Sequence, residues 1–152
     1  MGEMRCLSIM QPWLGAIVLG DKRVENRSWA APQWIIGETI ALHASKRFDW
    51  GAEFPPGRNL MWYAPEDLPL GAVTGIATVA GCHLSPDFGG TCGATRPLCS
   101  PWAARDSYHW LLSDVRALPE PVSCRGMLGL WRLPDDVDAA VRAQLGEDGE
   151  HG

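Results

Sequence analysis

Leu7-Ser8-Ile9-Met10-Gln11-Pro12-Trp13-Leu14-Gly15-Ala16-Ile17-Val18-Leu19 runs directly into Gly20-Asp21-Lys22-Arg23-Val24-Glu25-Asn26-Arg27. The first segment reads as a short strand, then a helix opened by Pro12 and stopped at Gly20. Residues 24–29 follow as a second strand. Successive side chains of a strand point to opposite faces, so Glu25, Arg27 and Trp29 share one face. With Lys22 at the entry turn, a carboxylate, a guanidinium and an ammonium form a compact polar site. Its cations suit an anion, and its carboxylate suits a hydrogen-bond donor.

Gly20-x-Lys22-x-x-Glu25-x-Arg27, placed behind Leu-Ser-Ile-Met-Gln-Pro-Trp, resembles the signature of the ASCH family (activating-signal-cointegrator homology). The resemblance continues in Ile40-Ala41-Leu42-His43-Ala44-Ser45-Lys46 and in Gly126-Met127-Leu128-Gly129-Leu130-Trp131. It covers residues 5–134 and implies a PUA-like β-barrel that recognises RNA or a nucleotide. Residues 135–152 stand apart as an acidic C-terminal helix with a frayed end.

A chain of 152 residues supports one domain with a real core. No apolar run approaches the ~20 residues of a membrane span, and the first residues lack a cationic, apolar leader, so a cytoplasmic location without membrane partners is expected. The formal charge of −5 is misleading, because residues 135–152 hold six acids and one arginine. The remaining body is neutral, and its bases gather at Lys22-Arg23, Arg27 and Lys46-Arg47. Local patches rather than net charge attract a polyanion. The same cluster also reads as a solvated rim.

Pattern alone favours an α+β fold, a small mixed β-barrel with two or three short flanking helices. Residues 38–44 alternate as a strand, and 45–50 begin a turn or helix. Four prolines and Gly57 make residues 55–69 mostly loop. Residues 71–84 form a long strand, with Val73, Ile76 and Val79 in the core and bends at Gly75 and Gly81. Residues 85–100 are an excursion rich in glycine and cysteine. The last strands are 108–115 and 127–133. The helix from Asp135 places acids in its first turn, where its dipole favours them. Its Val137, Ala140, Val141 and Leu145 recur at helical spacing and pack back on the sheet.

Of the eight tryptophans, Trp110 and Trp131 read as core, while Trp34, Trp50, Trp62 and Trp102 fall near loops. Trp13 and Trp29 flank the polar motif, where a base stacks or where they cover the barrel end. Cys6 and Cys124 read as buried thiols. Cys82, Cys92 and Cys99 gather in the loop-rich excursion with His83 and His109 nearby, a set that suits either unligated thiols or a structural zinc. No C-x-x-C pair supports the zinc, and a cytosolic setting disfavours disulfides.

Three functions fit these residues. In the first, RNA, single-stranded nucleic acid or a nucleotide lies in a cleft lined by Lys22, Glu25 and Arg27, with Trp13, Ser45 and His109 as further ligand-binding candidates. Lys22 and Arg27 hold an oxyanion there, Glu25 accepts a donor, and Trp13 or Trp29 stacks. The same three charges equally form an internal brace. In the second, the protein is a hydrolase of modified nucleosides or RNA with Lys22 and Glu25 as catalytic groups. One branch that the chain resembles cleaves the amide of acetylated cytidine with a lysine, a threonine and a glutamate. The resemblance sets Lys22 at the lysine but Glu25 where the threonine is expected, so the nucleophile is lost. Glu25 as a base toward water, or Lys22, Ser45 and His109 in RNA cleavage, remain chemical options. The third is an interaction module within a larger assembly.

Overall fold

The computed structural model describes residues 3–58, 64–85 and 98–146. Six strands form one mixed sheet: β1 (Arg5–Gln11), β2 (Val24–Arg27), β3 (Thr39–Phe48), β4 (Ala72–Leu84), β5 (Tyr108–Ser123) and β6 (Leu130–Arg132). Two α-helices accompany it, α1 (Trp13–Val18) and α2 (Asp135–Leu145), with single 3₁₀ turns at Gln33–Ile35 and Pro65–Asp67. The spatial order is β2-β5-β4-β3-β1-β6. β1 and β3 run parallel, and every other neighbouring pair is antiparallel. The α+β, mixed-sheet expectation holds, but barrel closure is not detected: no pairing joins β2 to β6 among the described residues. These two edge strands are four and three residues long, and so offer little backbone to each other.

Alternation along the strands builds a core on each face. Leu7, Ile9, Ile40, Leu42, Ala77, Val79 and Trp110 point to one side, where Leu14 and Ile17 of α1 cover them. Cys6, Ala41, Val73, Ile76 and Trp131 point to the other, where Val137, Val141 and Leu145 of α2 seal them. The expected burial of Trp110 and Trp131 and the docking of the last helix are both present.

Bulges bend the sheet where the glycines suggested. Pairing of β4 with β5 slips between Val73 and Gly75 and again between Val79 and Gly81. A Cβ on Gly75 would stand 2.8 Å from the Arg116 carbonyl and 3.1 Å from Val18 Cγ1, so only glycine lets β5 and α1 approach so closely. Two segments depart from expectation. Residues 45–48 continue β3 instead of turning, because Asp49 N–H donates to Gln11 O and keeps β3 beside β1. β5 runs on to Ser123 past Pro119 and Pro121. Its pairing with β2 ends at Leu111, so those prolines sit on an open edge that needs no donor. There α2 substitutes for a strand: Gln144 Oε1 accepts from Glu120 N–H and Gln144 Nε2 donates to Glu120 O, each at 2.9 Å.

Candidate functional site

The segment from the start of α1 to β2 is tied at both ends. Buried Gln11 caps α1, its Oε1 accepting from Gly15 N–H at 2.7 Å while its Nε2 donates to Pro69 O at 3.1 Å. At the other end Arg23 Nη1 donates to the carbonyls of Ile17, Gly20 and Lys22. Arg23 is thus the staple of the turn while remaining exposed, as the rim reading expected. The turn drives Lys22 inward, where it is 1% exposed.

Lys22, Glu25 and Arg27 then meet as an ion triad. Lys22 Nζ lies 3.1 Å from Glu25 Oε1 and also donates to Val24 O. Arg27 Nη1 lies 3.1 Å from Glu25 Oε2 and donates to Ser8 O at 3.3 Å. Each carboxylate oxygen therefore already accepts a charged hydrogen bond, and the buried triad keeps one net positive charge. Arg27 retains more: its Nε and Nη2 make no bond among the described residues, and its side chain is 22% exposed.

A cleft of about 790 Å³ opens over this triad. Trp13, Phe54 and Trp102 form an aromatic corner, with ring centroids 5.4 Å apart for Trp13–Phe54 and 5.1 Å for Phe54–Trp102. Trp13 Nε1 donates to Asp49 and Trp102 Nε1 to Asp21, so both indoles are fixed in orientation. The Arg58 guanidinium bonded to Asp21 holds that carboxyl below its usual range. Asn26 ties down the wall that carries Trp102: its Nδ2 donates to Trp102 O at 2.9 Å and its Oδ1 accepts from Ala104 N–H at 2.8 Å.

Of the expected site residues, Lys22, Glu25, Arg27, Trp13 and Ser45 all line this cleft. His109 does not. It is wholly buried, with Nε2 2.5 Å from Ala104 O, and pairs across the sheet with His83. Trp29 is also elsewhere, packed edge-on against Trp110 under the Arg27 guanidinium. Sequence reading missed Asn26, Phe54 and the lining role of Trp102. The only signal was Asn26 lying inside the motif.

The cleft shares Ser8, Ser45, Arg47 and Leu128 with a second cavity of about 760 Å³, to which Lys46 and Arg125 contribute. Arg47 and Arg125 are exposed. Behind this cavity His43 Nε2 donates to Cys124 O at 2.7 Å, which leaves Nδ1 to accept from Ser8 Oγ at 3.2 Å. Burial holds His43 below the usual imidazole range. Burial first, and then His109, does the same to His83.

Of the anticipated zinc thiols, Cys82 does not join Cys99 in a ligand cluster among the described residues. Cys82 Sγ accepts from Ala31 N–H, and burial raises its thiol pKa. Cys92 lies outside the described residues. Cys6 is buried as expected, but Cys124 is only half-buried.

A bent mixed sheet thus carries a basic and aromatic cleft beside a Lys-Glu-Arg triad set on β2 and the turn before it. The ASCH domain model matches residues 7–121, and the chain belongs to that family. Human activating signal cointegrator 1 is 32% identical over 87 residues, and the mouse protein of that name is 31% identical over 87 residues. Each match covers 55% of this chain but only 15% of the relative, so the similarity concerns a module of those longer proteins.

Proposed function

We propose that the protein binds single-stranded RNA through the two joined cavities. A base lies against Trp13 and Phe54, with Trp102 behind them, and phosphates meet Arg27 and Arg47. The strand then continues past Lys46 and Arg125. The observation that carries this reading is the joining of an aromatic corner to arginine donors in one cleft that opens into a second basic cavity. Aromatic faces contribute about 1–3 kcal/mol per stacked base, and a planar guanidinium matches phosphate bidentately. Membership of a PUA-like family, often linked to RNA binding, supports the same reading.

Within this reading Lys22 and Glu25 position Arg27, and the ligand meets the Arg27 edge that the triad leaves free. This joins the two sequence expectations for the motif, because the brace is what aims the binding group. Catalysis is less well supported by the same geometry. Both Glu25 oxygens are engaged by cations, and no histidine lines the larger cleft among the described residues.

The test is binding of a short fluorescent single-stranded RNA across a salt series, with wild type beside Arg47→Ala and Phe54→Ala. Affinity should fall steeply with salt. Arg47→Ala should weaken binding and flatten the log–log salt slope by about 0.7, the value for one lost single-strand phosphate contact. Phe54→Ala should weaken binding at every salt concentration. Salt-insensitive binding, or binding untouched by both variants, overturns the reading.

A further inference from the structure

Away from the cleft, three metal-ligand side chains converge from three segments. His83 near the end of β4 and His109 at the start of β5 are register partners, and Cys99 comes from the stretch that precedes β5. His83 Nε2 lies 3.2 Å from His109 Nδ1, and Cys99 Sγ lies 3.7 Å from the same Nδ1. All three ligand atoms fall within 4.8 Å of one another. A tetrahedral zinc with bonds of about 2.0–2.1 Å to nitrogen and 2.3 Å to sulfur sets N···N near ~3.3 Å and N···S near ~3.6 Å. The two edges at His109 match those of such a site.

The tautomer of His109 points the same way. Its Nε2 faces Ala104 O at 2.5 Å and donates to it, so its Nδ1 carries a lone pair toward the other two groups. A ring nitrogen pinned to a backbone carbonyl while the other faces the ligand set is the outer-shell arrangement that orients metal-binding histidines. His109 is wholly buried, which fixes the ring in that pose, whereas His83 and Cys99 are half-buried and reachable from solvent.

We infer that His83, Cys99 and His109 bind one zinc ion. Two imidazoles and a thiolate form a borderline-soft set suited to zinc, and three protein ligands leave a fourth position for water or another donor. Binding releases the Cys99 thiol proton to solvent and places the His83 proton on its Nδ1, freeing Nε2 for the metal. The ion joins β4, β5 and the segment that leads from Cys99 to Trp102 and Ala104. It thereby anchors from behind the same cleft wall that Asn26 holds from the front.

The experiment is a cobalt(II) titration of the chelator-treated full chain, read by absorption, with zinc added afterwards as competitor. Wild type should develop thiolate-to-cobalt charge-transfer and tetrahedral d–d bands, saturate at one equivalent, and lose both on addition of zinc. Cys99→Ser should abolish the charge-transfer band, and His83→Ala should weaken cobalt at least tenfold. Cys82→Ser should leave the spectrum unchanged. His83 is half-buried, so its variant keeps the test meaningful should replacement of the buried His109 unfold the chain. Absence of a charge-transfer band in wild type, its survival in Cys99→Ser, or its loss in Cys82→Ser overturns the assignment. None of these readings depends on RNA binding.

Discussion

Lys22 is the most buried charged side chain of the motif, and its surroundings define what its removal does. Its ammonium answers Glu25 Oε1 and the Val24 carbonyl. Lys22→Ala leaves a carboxylate oxygen and a carbonyl facing a void, and removal of one partner from a buried ion pair costs about 3–5 kcal/mol. Because Arg27 still holds the other oxygen, the lower end of that range is expected, measured as the shift in denaturant midpoint. Stability equal to wild type would show that the triad does not brace the turn. Arg47, exposed on the shared rim, is the better probe of binding. The residue types of the motif were legible because strand alternation places Glu25 and Arg27 on one face. Their burial was not, since it depends on α1 and the Arg23 staple closing over Lys22. His109 was misplaced for a related reason: its neighbours are set by the register of β5 against β4, which no local spacing reveals.

Among the elements, the run from β1 through α1 to β2 was readable from Pro12, Gly20 and the alternation beyond. The second half of β5 was not. Pro119 and Pro121 argue against a central strand, and only the sheet order shows that this portion lies on an edge. The Gln144 amide closes that edge with two hydrogen bonds to the Glu120 backbone, and a typical hydrogen bond contributes about 0.5–1.5 kcal/mol net. Gln144→Ala should therefore lower stability by about 1 kcal/mol and speed amide exchange at Glu120. Unchanged exchange there would mean that the pair forms no lasting contact. Gln144 carries no pattern signal, being a polar residue on a polar helix face.

For the molecule as a whole, acid acts through histidines that the fold keeps neutral. His43 and His83 are both held below the unfolded value of 6.5 by burial. Below that value the unfolded chain takes up protons that the folded chain resists. Their contribution is thus complete above about pH 6.5 and falls as pH drops through 6.5 toward their lower folded values. The Asp21 carboxylate acts in a separate, more acidic window, because its folded pKa is depressed and its stabilisation is lost only below its ordinary value of 3.8. Melting temperature of the metal-free chain should decline between pH 7.5 and 5.5, and His43→Gln should flatten part of that slope. A melting temperature constant across this range contradicts the assignment.

The seal formed by α2 on the second core has a consequence for how the unit is delimited. The family match stops at residue 121, yet Trp131, Leu133, Val137, Val141 and Leu145 complete the apolar face that Cys6, Ala41 and Val73 present. The stretch that matches the family and the stretch that packs into this core are therefore different lengths of chain. A clone cut at the homology boundary would leave that face wet and prone to aggregate. An expression boundary that keeps everything through Gly146 retains the lid.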